Sequence, residues 1–104
     1  MKENDKFKKL SDVPKKYTGK CFITSIHEEH IYYKGLLHNT KGPAVATKNS
    51  KQYWHKGSLH RLDGPADYFG TTEEYYIHNV KYEPNDYWKH PLVVKTKLDR
   101  VLSL

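Results

Sequence analysis

Apolar and polar residues alternate along this chain in short runs, and Gly or Pro breaks each run at a spacing that recurs every 22 residues. Tyr32-Tyr33-Lys34-Gly35-Leu36-Leu37-His38 returns as Trp54-His55-Lys56-Gly57-Ser58-Leu59-His60 and, in altered form, as Tyr76-Ile77-His78-Asn79-Val80-Lys81-Tyr82. Gly42-Pro43-Ala44 returns as Gly64-Pro65-Ala66 at the same offset. A fixed period of this length is the mark of a repeat architecture. The period-two alternation with aromatic and β-branched residues predicts strands. Each unit therefore reads as a strand, a tight polar turn, a second strand, a Lys-Gly turn, a short Leu-His segment and a loop closing on Gly-Pro.

The turn residues carry most of that reading. Gly35 and Gly57 follow an extended residue where a positive φ reverses the chain. Asn79 replaces Gly in the third copy and tolerates the same backbone. Pro43 and Pro65 lack an N–H and are expected to open strands, not to sit inside them. Alternation puts Tyr32, Trp54 and Tyr76 on one face, where they are expected to stack as a ladder in the core. Their neighbours on that face are polar, so the opposite face is the other candidate for burial. Leu37 and Leu59 are expected to plug the core at successive rungs.

A different element is expected after residue 82. Glu83 to His90 has Pro near a helix start and acids in the first turn, with Pro91 as its stop. This predicts a short cap helix over about 84–90, with Trp88 closing the open end of the sheet. Leu98, Val101 and Leu102 fall at helical spacing and predict a second amphipathic helix in the tail. The expected fold is mainly β: stacked antiparallel hairpins with a short C-terminal helical cap. Residues 1–16 read as a flexible basic segment, 17–82 as the hairpin repeat domain, and 83–104 as cap and tail.

Composition adds limits. The chain has 104 residues, enough for one domain, and its large side chains are mostly aromatic, with nine Tyr, two Trp and three Phe. The single cysteine, Cys21, excludes an intramolecular disulfide and suits a reducing compartment. No apolar run spans a bilayer and no secretory leader is recognisable. A cytoplasmic protein without a membrane segment is expected. The net charge of +6 sits in the ends, since residues 21–88 carry seven basic and eight acidic groups. Basic ends of this kind are usually solvated, and they also steer acidic partners.

The phrase Tyr53-Trp54-His55-Lys56-Gly57-Ser58-Leu59-His60-Arg61-Leu62-Asp63-Gly64-Pro65-Ala66 resembles a degenerate repeat of small tailed-phage and bacterial proteins. That repeat is similar to a variant of the MORN (membrane occupation and recognition nexus) motif. The likeness covers about residues 17–92 and implies a twisted stack of β-hairpins and a phage origin. It departs at Asn39-Thr40-Lys41, which replaces Arg-x-Asp, and at the third copy, which lacks Gly-Pro-Ala. The glycine pattern differs from that of true MORN repeats, so lipid binding is not implied.

Chemistry finds little support in the residues. Seven His raise a metal site, but structural zinc needs three or four converging ligands, and only His27 and His30 are closely paired. His38 and His60 are explained by the repeat, as imidazoles bonded to the backbone of an adjacent loop and held by Asp63. Cys21 reads as a small buried hydrophobe within a strand. Neither a metal, a cofactor nor a catalytic centre is expected. What remains is binding. A rigid, aromatic-rich sheet suits a protein partner, anchored at Tyr33, Tyr53, His55, Arg61 and Tyr75. By resemblance, the partner is a host protein that a phage inhibitor blocks sterically in the host cytoplasm. The competing reading is nucleic acid, with Tyr33, Tyr53, His55 and Tyr75 stacking bases and terminal lysines on phosphates. An open sheet edge would also permit self-association.

Overall fold

The computed structural model describes residues 5–104. Three hairpin units follow one another and are closed by two helices. The first unit is β2 (Gly19–Ile23), β3 (Glu28–Tyr33) and β4 (Leu36–Leu37). The second is β5 (Val45–Ala46), β6 (Ser50–Gln52), β7 (Trp54–His55) and β8 (Ser58–Leu59). The third is β9 (Asp67–Phe69), β10 (Thr72–Ile77) and β11 (Val80–Tyr82). Among the described residues, nine strands form one mainly antiparallel sheet, while β7 and β8 form a separate ribbon. The expected mainly β fold with a C-terminal helical cap is the observed one.

Part of the basic segment over residues 1–16, expected to be flexible, contributes structure. Asp5–Phe7 forms β1, which pairs in parallel with β2, and Leu10–Asp12 makes a 3-10 turn. Residues 1–4 lie outside the described part. The ring of Phe7 meets that of Tyr17 edge-on at 5.5 Å, which ties this segment to the first unit.

The two Lys-Gly turns and their third counterpart take positive φ at both central residues: 50° and 83° at Lys34-Gly35, 47° and 83° at Lys56-Gly57, and 48° and 66° at His78-Asn79. That is the type I′ hairpin turn, whose twist matches that of the flanking strands. Lys34 and Lys56 are thus left-handed, not extended as the sequence predicts. Gly35 has a second reason to be Gly. A Cβ there would lie 1.9 Å from the carbonyl oxygen of Lys15. Asn79 adds something Gly cannot, because its Oδ1 accepts the Leu59 N–H at 2.7 Å.

Units are joined by repeated backbone bonds. Gly57 N–H donates to Leu37 O and Asn79 N–H to Leu59 O, each at 2.9 Å. Ile31 N–H donates to Ala44 O and Tyr53 N–H to Ala66 O, each at 2.7 Å. Ala44 and Ala66 are buried, so the Gly-Pro-Ala phrase supplies a small side chain where loop and sheet come close. Pro43 and Pro65 precede β5 and β9 and stay out of the ladders. Gly42 sits in the loop before Pro43, and Asn39 Nδ2 donates to Pro43 O at 3.1 Å. In the next unit Arg61 Nη1 makes the equivalent bond to Pro65 O at 3.0 Å. The departure of the first copy from the repeat phrase is therefore a change of residue with the same function.

The buried face changes along the sheet. At the N-terminal end Cys21, His30 and Val45 face each other across three strands and are buried, together with Ile23. Burial lifts the Cys21 thiol pKa, and Asp5 adds to the effect. His30 is satisfied by Glu28 at 2.8 Å and by the Tyr32 hydroxyl at 3.0 Å. At the C-terminal end the opposite face is buried: Ile77 and Tyr75 pack with Leu62, Tyr82, Tyr87 and Val93.

The expected core ladder of Tyr32, Trp54 and Tyr76 does not form. The three hold equivalent register, but each is only half-buried. Each also turns to its own polar neighbours. Tyr32 meets Tyr17 edge-on and bonds His30, Trp54 Nε1 donates to Gln52, and Tyr76 donates to Glu74. Leu59 is buried as expected, whereas Leu37 is half-buried.

The cap consists of α1 (Pro84–Lys89) and α2 (Pro91–Leu102), separated by His90. Tyr87, not Trp88, closes the end of the sheet: Tyr87 is 0% exposed and Trp88 45%. One turn of helix places consecutive residues on different faces, and the inward one is Tyr87. Its hydroxyl donates within reach of Arg61 O (2.7 Å) and Gly64 O (2.9 Å) and accepts from Gly64 N–H (3.1 Å). Among the described residues no helix is long and apolar enough to cross a membrane.

Candidate functional site

The two-residue turns bring the histidines together on one edge. His38 and His60 follow the short strands β4 and β8, and each ring reaches forward to the turn of the next unit. His38 Nδ1 accepts the Lys56 N–H, and His60 Nδ1 accepts the His78 N–H, both at 2.9 Å. Thr18 Oγ1 does the same for Lys34 N–H at 2.8 Å. The predicted bond to an adjacent loop is thus present. The predicted support from Asp63 is not: that carboxylate takes Arg61 Nε at 2.8 Å and Arg100.

Five rings form a continuous row across the three units. Tyr33 lies 5.8 Å from His38, His38 4.8 Å from His55, His55 5.9 Å from His60, and His60 4.1 Å from His78, between ring centres. The last pair is stacked, with planes 20° apart. Burial lowers the pKa of His60 from its ordinary 6.5 to about 4, with further lowering from His78 and His55. Burial also lowers that of His55, reinforced by His38, Lys56 and His78. A neutral ring whose Nδ1 accepts a hydrogen carries its proton on Nε2. His38 and His60 are therefore fixed as the Nε2–H tautomer and present a donor, not a lone pair, at that atom. Among the described residues no three His, Cys, Asp or Glu side chains converge as a metal would require.

A groove of about 420 Å³ runs beside this row, and Lys41, Tyr53, His55, His60, Arg61 and Arg100 contribute to its lining. Three residues singled out from the sequence thus share one concavity: Tyr53, His55 and Arg61. Arg61 is not free to reach outward. Its guanidinium lies over the Tyr53 ring at 3.9 Å and also bonds Asp63, Pro65 O and the Tyr68 hydroxyl. Burial favours a neutral Asp63, but Arg61 and Arg100 together pull its pKa below the ordinary carboxylate value.

Tyr75 belongs elsewhere. It packs on Tyr87 at 4.6 Å and meets Trp88 edge-on at 5.8 Å, so it is part of the cap core and not of the exposed surface expected from the sequence. Tyr33 is exposed, with the Lys34 ammonium 5.2 Å from its ring centre. His78 and Arg100 were not evident as site residues. His78 occupies the Lys position of its unit, and Arg100 arrives from a helix 37 residues beyond Asp63. No repeat spacing signals either.

A second, larger groove of about 560 Å³ lies on the hairpin-turn side and is lined in part by Lys48, Lys51, Tyr53 and Tyr68. No family model matches the chain, and no curated protein or solved structure matches it.

Proposed function

We propose that this protein is a non-enzymatic protein-binding module that docks through its row of rings and blocks its partner sterically. The observation that carries the reading is the row Tyr33–His38–His55–His60–His78. Two of its rings are held by backbone N–H groups of the next unit, so docking immobilises little that is free beforehand. Tyr33 offers an exposed aromatic anchor at one end, and the adjacent groove admits a protruding side chain. The Nε2–H groups of His38 and His60 favour acceptors such as carbonyl or carboxylate oxygens. The narrower proposal, a phage inhibitor acting on a host protein in the host cytoplasm, is supported by the likeness of the repeat phrase alone.

The test is retention of one stoichiometric protein from a bacterial lysate on the immobilised chain. Tyr33→Ala and His55→Ala should abolish retention while leaving the fold intact by circular dichroism. Retention unaffected by both variants, or none with the wild-type chain, sinks the reading.

Nucleic-acid binding stands as the second reading, supported by the pairing of Lys48 and Lys51 with Tyr53 and Tyr68 in the larger groove. Affinity for single-stranded DNA that falls steeply with salt, and is lost on Lys51→Glu, would favour it instead.

A further inference from the structure

Helix α2 buries one side and leaves an apolar stripe on the other. Val93 is buried against the cap, and Val93, Thr96, Lys97 and Arg100 line the seam with Leu62 and Trp88. Val94, Leu98, Val101 and Leu102 are 48%, 56%, 58% and 75% exposed. At 3.6 residues per turn these four share one face, about 130° round the helix from the seam. The stripe is therefore built and unpartnered, and it lies away from the row of rings.

We propose that α2 pairs antiparallel with α2 of a second copy of this chain. The charges beside the stripe favour this occupant. Lys95 and Asp99 lie together on one rim, 3.8 Å apart within the chain. In an antiparallel pair related by a two-fold axis near Leu98, equal rims face each other. Lys95 of each copy then lies within reach of Asp99 of the other, which gives two reciprocal ion pairs. The helix dipoles also oppose in this arrangement. The other rim carries Lys97, which meets its own copy at a mild repulsive cost.

The four side chains expose on the order of 400 Å² per copy, half the area of a standard interface. The pair is therefore weak, with a Kd on the order of 100 µM.

Sedimentation equilibrium up to about 1 mM chain tests this directly. The wild-type chain should show a monomer–dimer equilibrium, and Leu98→Glu should remain monomeric with unchanged helicity. Lys95→Glu and Asp99→Lys should each weaken self-association about tenfold. Their equimolar mixture should recover it, because one copy then offers an acidic rim and the other a basic one. Lys97→Ser should tighten the dimer. A wild-type chain that is monomeric throughout overturns the proposal, as does a dimer that Leu98→Glu leaves intact. Tightening by Lys95→Glu would mean a parallel pair, in which that rim faces Lys97, and would also overturn it. Binding to phosphatidylserine vesicles by a chain that does not self-associate would assign the stripe to a lipid surface instead.

Discussion

The ring of His60 stacks on that of His78 at 4.1 Å while its Nδ1 accepts that residue's own backbone N–H. One side chain thus fixes both the conformation of the third turn and the ring that the turn displays. His38 holds Lys56 by the same bond one unit earlier.

Removing either acceptor should leave a turn N–H without its partner. His60→Ala and His38→Ala are each expected to lower stability by about 0.5–1.5 kcal/mol, since water reaches both N–H groups. Urea denaturation followed by tryptophan fluorescence measures the change. An unaltered midpoint for both would show that the bonds contribute nothing.

Acid should loosen the same edge. The pKa of His60 falls from 6.5 unfolded to about 4 folded, so the unfolded chain binds the extra proton between those values. Stability from this group is complete above pH 6.5 and is lost as the pH falls toward 4. Protonation also places an N–H where Nδ1 must accept one. Melting temperatures between pH 7 and pH 4 should decline, and more shallowly in His60→Ala. Equal slopes in the two proteins would contradict the assignment.

Two glycines with positive φ should respond differently to a methyl group. Gly35→Ala brings Cβ within 1.9 Å of a backbone oxygen, whereas Gly70 has nothing within 4 Å. Gly70→Ala is expected to cost about 1 kcal/mol from its backbone alone, and Gly35→Ala at least about 3 kcal/mol. Thermal melts of the two variants provide the comparison.

The hydroxyl of Tyr87 joins the cap to the Arg61–Gly64 loop. Tyr87→Phe keeps the ring but strands a buried N–H and two carbonyls, a loss of about 1–3 kcal/mol. Trp88→Phe, at an exposed position, should change stability by less than half as much. The reverse order would mean that Trp88 is the true plug.

The repeat period made the hairpins legible because type I′ turns leave few alternatives to Gly or Asn at their second position. Burial was less legible. Alternation separates the two faces, but it does not say that coverage passes from the face of Cys21 and His30 to that of Tyr75 and Ile77. That depends on where β1 and the helices land. The candidate surface was half visible for a related reason. His55 and Tyr33 do lie on the exposed edge, whereas Arg61 and Tyr75 are taken up by contacts with Asp63 and Tyr87. The row of rings also mixes three positions of the repeat: Tyr33 and His55 from one, His38 and His60 from a second, and His78 from the Lys position. Its members do not fall at a single spacing.

Each of the three type I′ turns draws a side-chain acceptor from earlier in the chain: Thr18 for Lys34, His38 for Lys56, His60 for His78. Leu59 N–H in turn takes Asn79 Oδ1 from the unit after it, so neighbouring modules clasp each other from both sides. Ordering of any one hairpin should therefore spread to its neighbours on either side, like a zip opened from the middle. A whole 22-residue module spliced in at the middle would inherit both a predecessor and a successor, so the design is extensible without redrawing its ends.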